Sequence, residues 1–143
     1  MKKILFLCTG NSCRSQMAEG WANSLLQYNF KAFSAGTKPG TLDPRAVKVM
    51  AEAGVDISEH RAKVAEEFKD VAFDLVVTVC DNARETCPVW FGKAKKLHKS
   101  FEDPPFLAKE AKSEEDALAH YRRVRDEIRD FIKTLPAIME ESK

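Results

Sequence analysis

No charge of either sign dominates this 143-residue sequence, in which 23 Lys and Arg face 22 Asp and Glu for a net charge of +1. Such a balance offers no basic surface for nucleic acid or for an anionic membrane. Long apolar runs are absent as well, and no stretch approaches a membrane span. The opening MKKILFLCTG sets lysines before Ile4–Leu7, but that run is too short for the hydrophobic region of a secretory signal. The expected compartment is therefore cytoplasmic, where the cysteines at 8, 13, 80 and 87 rest as thiols. Cysteines of such a protein are catalytic, metal-binding or simply buried. Metal binding has little to build on: there is no CxxC, and His60, His98 and His120 show no ligand spacing. Neither a metal nor a cofactor is expected. Repeats, low-complexity tracts and linkers are also missing, so residues 1–143 are expected to form one domain, acting as a monomer. Its length suffices to bury roughly two-thirds of the unfolded surface.

What is present alternates. Residues 3–7 read as a buried strand. From Ser15 a helix follows, in which Met17, Trp21, Leu25 and Ala18, Ala22, Leu26 form adjacent i, i+4 rows. A short strand is expected over 31–34. Asp43-Pro44 then supplies the cap and first residue of a second helix, which carries Val47, Met50 and Ala53 and ends at Gly54. Residues 63–69 predict a helical turn or two. The run 74–80, DLVVTVC, predicts a central parallel strand, and 95–98 a weaker edge strand. Ser113-Glu-Glu-Asp116 resembles a capping box and opens a long amphipathic helix through Leu118, Tyr121, Val124, Ile128, Phe131, Ile132 and Leu135. Pro136 is expected to stop it. This order predicts an α/β domain with a parallel sheet and right-handed crossovers.

The chemistry gathers at CTGNSCRS, residues 8–15, between the first strand and the first helix. A loop in that place presents backbone N–H groups of Thr9, Gly10, Asn11, Ser12, Cys13 and Arg14 to one point. The helix dipole adds positive potential there, which suits a tetrahedral oxyanion. Gly10 and Asn11 are the residues best able to take the left-handed backbone that such a nest needs. Arg14 can offer two parallel hydrogen bonds to the anion. The same field favours the thiolate of Cys8, and a hydrogen bond from Ser15 would favour it further. Taken alone, Cys8 would pass for a buried strand-end residue and Arg14 for a surface charge. The spacing Cys-x5-Arg-Ser between an apolar strand and an amphipathic helix argues instead for a nucleophile beside its anion clamp.

In a parallel sheet, strands 3–7 and 74–80 deliver their C-terminal ends to one edge, so Cys80 is expected near Cys8. Cys87 follows seven positions later. On a helix the two Cα atoms would stand about 10.5 Å apart, beyond the roughly 7 Å limit for a disulfide. Any redox role for this pair therefore requires a looped or unwound segment. Inert core residues are an alternative reading of Cys80 and Cys87 when they are taken alone; beside a Cys8 nucleophile, a thiol relay is the stronger reading. Cys13 is expected to be a small buried filler.

CTGNSCRSQMAEG, with SAG at 34–36 and EDPP at 102–105, resembles the low-molecular-weight protein tyrosine phosphatase superfamily. Within it, VTVCDNARETCP is similar to the thioredoxin-coupled arsenate reductases. The likeness runs from about residue 3 through the final helix. It implies a three-layer α/β/α fold with a four-stranded parallel sheet. It also implies reduction of arsenate: Cys8 attacks arsenic, Cys80 attacks the Cys8 sulfur and releases arsenite, Cys87 takes over the disulfide, and thioredoxin reduces it. Asp103 aligns with the general acid of the family. Asn11, Glu19 and Ser34 match residues that support the loop and, in some relatives, help to bind potassium. There an aspartate completes the cation site; here Lys63 aligns with it, so the resemblance implies an ammonium paired with Glu19 and no potassium dependence.

Two departures set this chain apart from phosphatases of the same fold. Pro105 follows the Asp-Pro pair where those enzymes carry an aromatic residue, and TKPGTLDPRAVKV supplies no aromatic wall for a phosphotyrosine ring. A small tetrahedral anion fits better, with phosphatase activity as the alternative. A non-enzymatic redox or oxyanion sensor is the third reading.

Overall fold

The computed structural model describes residues 1–81, 90 and 92–141. Strand β1 (Lys2–Cys8) carries Ile4, Leu5, Phe6 and Leu7, all buried, with side chains to both faces. That is the signature of a central strand, and β1 indeed lies between β2 (Phe30–Gly36) and β3 (Leu75–Thr78). With β4 (Lys95–His98) outside β3, the described strands form a four-stranded sheet of order β2-β1-β3-β4, parallel throughout. The parallel α/β expectation holds, and β4 is the exposed edge.

Helix α1 (Arg14–Leu25) packs on β1 and β2, and α2 (Pro44–Glu52) and α4 (Glu114–Glu141) cover the same face of the sheet. There Ile4, Phe6, Met17, Trp21, Met50, Tyr121, Ile128 and Ile132 form the larger core. Against the other face Leu5, Leu7, Ala35, Phe73 and Val76 form a smaller one, joined by Phe33, Phe68 and Trp90. A 3-10 turn at Ala65–Phe68 lies on that side, within the span expected to be helical.

Local signals account for most of the boundaries. Asp43 caps α2, its carboxylate accepting from Arg45 N–H at 2.9 Å, and Gly54 beyond α2 takes φ +88°. The Ser113 hydroxyl accepts from Asp116 N–H at 3.0 Å and so caps α4. Three features differ from expectation. Pro136 does not stop α4, which continues to Glu141 with Leu135 and Met139 buried. Burial of those two side chains outweighs the missing N–H, a loss of about 3 kcal/mol in a helix interior. A five-residue helix, α3 (Pro104–Ala108), follows Asp103. Gly10 keeps out of the left-handed region, which Asn11 occupies at φ 49°. Among the described residues, no helix is long and apolar enough to cross a membrane.

Candidate active site

The loop from Cys8 to Arg14 emerges where β1 ends and α1 begins. Cys13 stands at the head of α1 and offers it no side-chain cap, and the first turn holds no acidic residue. The first N–H groups of α1 are thereby left for a ligand, and an anion would meet no like charge within that turn. A cleft of about 260 Å³ opens there, lined by Cys8, Thr9, Gly10, Ser12, Cys13, Arg14, Asp103 and Pro105. Larger clefts of about 670 and 600 Å³ lie elsewhere, but neither has a cysteine or histidine in its walls.

Donors converge on the Cys8 sulfur. Asn11 N–H points to it from 3.3 Å, and the Ser15 hydroxyl lies 2.9 Å away. Ser15 Oγ in turn accepts from Asn11 Nδ2 at 2.7 Å, which leaves the Ser15 proton to donate to sulfur. Arg14 is buried; its guanidinium donates to the Phe101 carbonyl at 3.1 Å and stands 3.6 Å from Asp103, a third of whose side chain is exposed. Asp103 is thus tethered at the mouth of the cleft with access to water. Cys13 is buried too. Burial first, then the nearby Asp43 and Asp103 carboxylates, push its thiol well above the ordinary cysteine range, so it stays protonated.

Behind the loop lies a buried polar cluster. Ser34 donates to Glu19 at 2.7 Å, and Lys63 Nζ lies 3.5 Å from Glu19, 3.4 Å from Ser34 Oγ and 2.9 Å from the Arg61 carbonyl. Lys63 N–H also donates to Asn11 Oδ1 at 2.8 Å. Two members of this cluster carried no signal in the sequence. Gln16, fully buried, donates its amide to the Asn11 carbonyl, Asn11 Oδ1 and the Arg61 carbonyl at 2.8–3.1 Å. His60 Nδ1 lies 3.0 Å from Gln16 Oε1 and 3.4 Å from Glu19. Together they fix Asn11 in its left-handed conformation. Nothing in the local pattern marks Gln16, because a glutamine in the first turn of a helix is ordinarily solvated. Gly36 explains the SAG triplet: a Cβ there would come within 2.5 Å of the Thr9 carbonyl and 3.0 Å of Asn11 N. Only glycine lets β2 pass this close to the loop.

Leu7 pairs with Thr78, and Val79 N–H donates to the Leu7 carbonyl at 3.0 Å. The strand expected over 74–80 stops at Thr78, and Cys80 lies two residues past its end, on the same edge of the sheet as Cys8 at the end of β1; both cysteines are buried. Cys8 and Cys13 are free thiols. Cys87 lies outside the described residues.

Cys8, the loop after it, Arg14 and Asp103 thus frame one small cleft. The model of the low molecular weight phosphotyrosine protein phosphatases matches residues 3–143. The chain belongs to that family. It is 47% identical to an arsenate reductase of Bacillus licheniformis over 92% of this chain and 93% of that protein. Against an arsenate reductase of Bacillus subtilis the identity is 46%, again over 92% and 93% of the two chains. Among solved structures, an arsenate reductase in its phosphate-binding state superposes with a TM-score of 0.81 at 31% identity, over 97% of this chain and 99% of that one.

Proposed function

We propose that this family member reduces arsenate to arsenite with three of its cysteines and passes the resulting disulfide to thioredoxin. The observation that carries the reading is the shared edge, where Cys8 faces an anion-sized cleft and Cys80 lies two residues past the end of the adjoining strand. The curated relatives at 46–47% identity, both arsenate reductases, support the same reaction.

The amide nest and Arg14 hold arsenate with its arsenic before the Cys8 sulfur, on which Asn11 N–H and the Ser15 hydroxyl converge. Sulfur attacks arsenic, and an oxygen departs as water with a proton from Asp103. The Cys80 thiolate then attacks the Cys8 sulfur. The sulfur–arsenic bond breaks with its electron pair moving to arsenic, so As(V) becomes As(III) while two thiols become one disulfide. Cys87 attacks Cys80, frees Cys8 and leaves Cys80–Cys87 for the dithiol of thioredoxin. Lys63, within reach of Glu19 and Ser34, takes the place that a bound cation would fill.

Arsenate-dependent oxidation of reduced thioredoxin tests the proposal. Cys8→Ser, Cys80→Ser and Cys87→Ser should each abolish multiple turnover, and disulfide mapping by mass spectrometry after one turnover should find mainly Cys80–Cys87. Full steady-state activity of Cys87→Ser with thioredoxin as sole reductant would refute the relay. The family match also supports a second reading, a phosphotyrosine phosphatase needing only Cys8, Arg14 and Asp103. Among the described residues, no aromatic ring lines the cleft to grip a phenyl phosphate. Phosphotyrosine-peptide turnover far above arsenate turnover would establish that alternative.

A further inference from the structure

A trans peptide points its N–H away from its C=O, so an anion site made of amides needs its carbonyls fastened on the outside. The segment 38–43 does this. Lys38 N–H donates to the Thr9 carbonyl at 3.0 Å, Gly40 N–H to Gly10 at 3.0 Å, and Asp43 N–H to Ser12 at 2.9 Å. Holding those three carbonyls outward turns the N–H groups of Gly10, Asn11 and Cys13 inward, and Asn11 N–H is found aimed at the Cys8 sulfur.

Most of this strap is exposed, so its own burial does little to fix it. Its last residue is fixed from elsewhere. One Asp43 oxygen accepts from Arg45 N–H, and the other accepts from the Tyr121 hydroxyl of α4 at 2.6 Å. Tyr121 is 1% exposed and is seated in the larger core. Burial, followed by the hydrogen bond to Asp43, pushes its phenol far up, so it stays a donor at every working pH. A short bond from a buried phenol to a carboxylate is among the stronger neutral-to-charged contacts.

We propose that Asp43 and Tyr121 form a positioning pair for the oxyanion loop, pinning the 38–43 strap to α4 and thereby setting the inward amides for a tetrahedral anion. Neither touches the reacting atoms. The inference rests on the loop being an oxyanion site, and inorganic phosphate is the probe.

Phosphate affinity, the arsenate KM and kcat, and Tm are measured on the full reduced chain. Tyr121→Phe should weaken phosphate about tenfold and raise the arsenate KM in parallel, with kcat changed less. Asp43→Ala should do the same, and the double variant should be no worse than either alone. Asp43→Asn keeps an acceptor oxygen for Arg45 N–H and can donate its amide N–H to the Tyr121 hydroxyl, so it should stay within about twofold of the parent. Arg122→Ala breaks the ion pair with Glu52 at the far end of α2 and should leave phosphate affinity unchanged. Lowered Tm with unchanged phosphate affinity in Tyr121→Phe would overturn the inference, as would additive losses in the double variant. If Tyr121→Phe fails to fold, equal phosphate affinity of Asp43→Ala and Asp43→Asn overturns it. A parent protein that binds no phosphate would instead sink the oxyanion reading itself.

Discussion

Asn11 donates its side-chain amide to the Ser15 hydroxyl over 2.7 Å, and this one contact orients a proton. With one acceptor site taken by Asn11, the Ser15 hydroxyl is placed to donate its hydrogen to the Cys8 sulfur 2.9 Å away. Ser15→Ala should therefore slow alkylation of Cys8 at neutral pH and lower kcat/KM for arsenate by about tenfold to a hundredfold. Thr at this position should retain much of the rate. An unchanged alkylation rate in Ser15→Ala would show that the loop amides alone control the sulfur.

Gly36→Ala places a methyl 2.5 Å from the Thr9 carbonyl, a backbone atom with no rotamer to yield. The loop must move, and a displacement near 1 Å costs about a hundredfold in turnover. The variant should remain folded by circular dichroism while losing phosphate binding and activity together.

Lys63 and Glu19 share a site in which each side chain is 12% exposed. Lys63→Ala leaves a mostly buried carboxylate short of its partner and should lower stability by about 1–3 kcal/mol in urea titration. The parent should melt at the same temperature in potassium and in sodium chloride at matched ionic strength.

Cys13 answers to pH in a defined direction. Its thiol is raised by burial and by Asp43 and Asp103, so at any given pH it holds less thiolate than an ordinary cysteine. In a Cys8→Ser, Cys80→Ser, Cys87→Ser background, iodoacetamide at pH 8 should label the folded chain at under about a tenth of the rate seen in urea.

Pro136→Ala restores a helical N–H in the interior of α4 at a half-buried position. Tm should rise, corresponding to about 1–3 kcal/mol, with arsenate kinetics unaltered.

Sequence patterning reached furthest where short-range signals agree. Ile4–Leu7 followed by small polar residues and then two apolar rows left little freedom for β1, the loop and α1. The parallel sheet follows from alternation, and the shared edge of Cys8 and Cys80 follows from the parallel sheet. Pro136 misled because its local effect is real, yet burial of Leu135 and Met139 decided the outcome. Gly10 misled for a related reason: Asn11 alone takes the left-handed turn, held there by Gln16 and by Lys63 N–H. Gln16 itself, and the contact of Asp43 with Tyr121 across 78 positions, are products of tertiary packing that no window of sequence encodes. Lys63 was legible only through resemblance to relatives, since nothing nearby in the chain names Glu19 as its neighbour.

All four strands run the same way, and this separates the molecule into a working end and a quiet one. Asn29 meets Lys2 at the start of β1, next to the widely exposed Tyr28, whereas Cys8 closes that strand. Seven residues of extended chain put about 20 Å between these poles. A tether, dye or solid support coupled at Tyr28 would thus anchor the protein by its base and leave the mouth facing solution, open to both oxyanion and reductant.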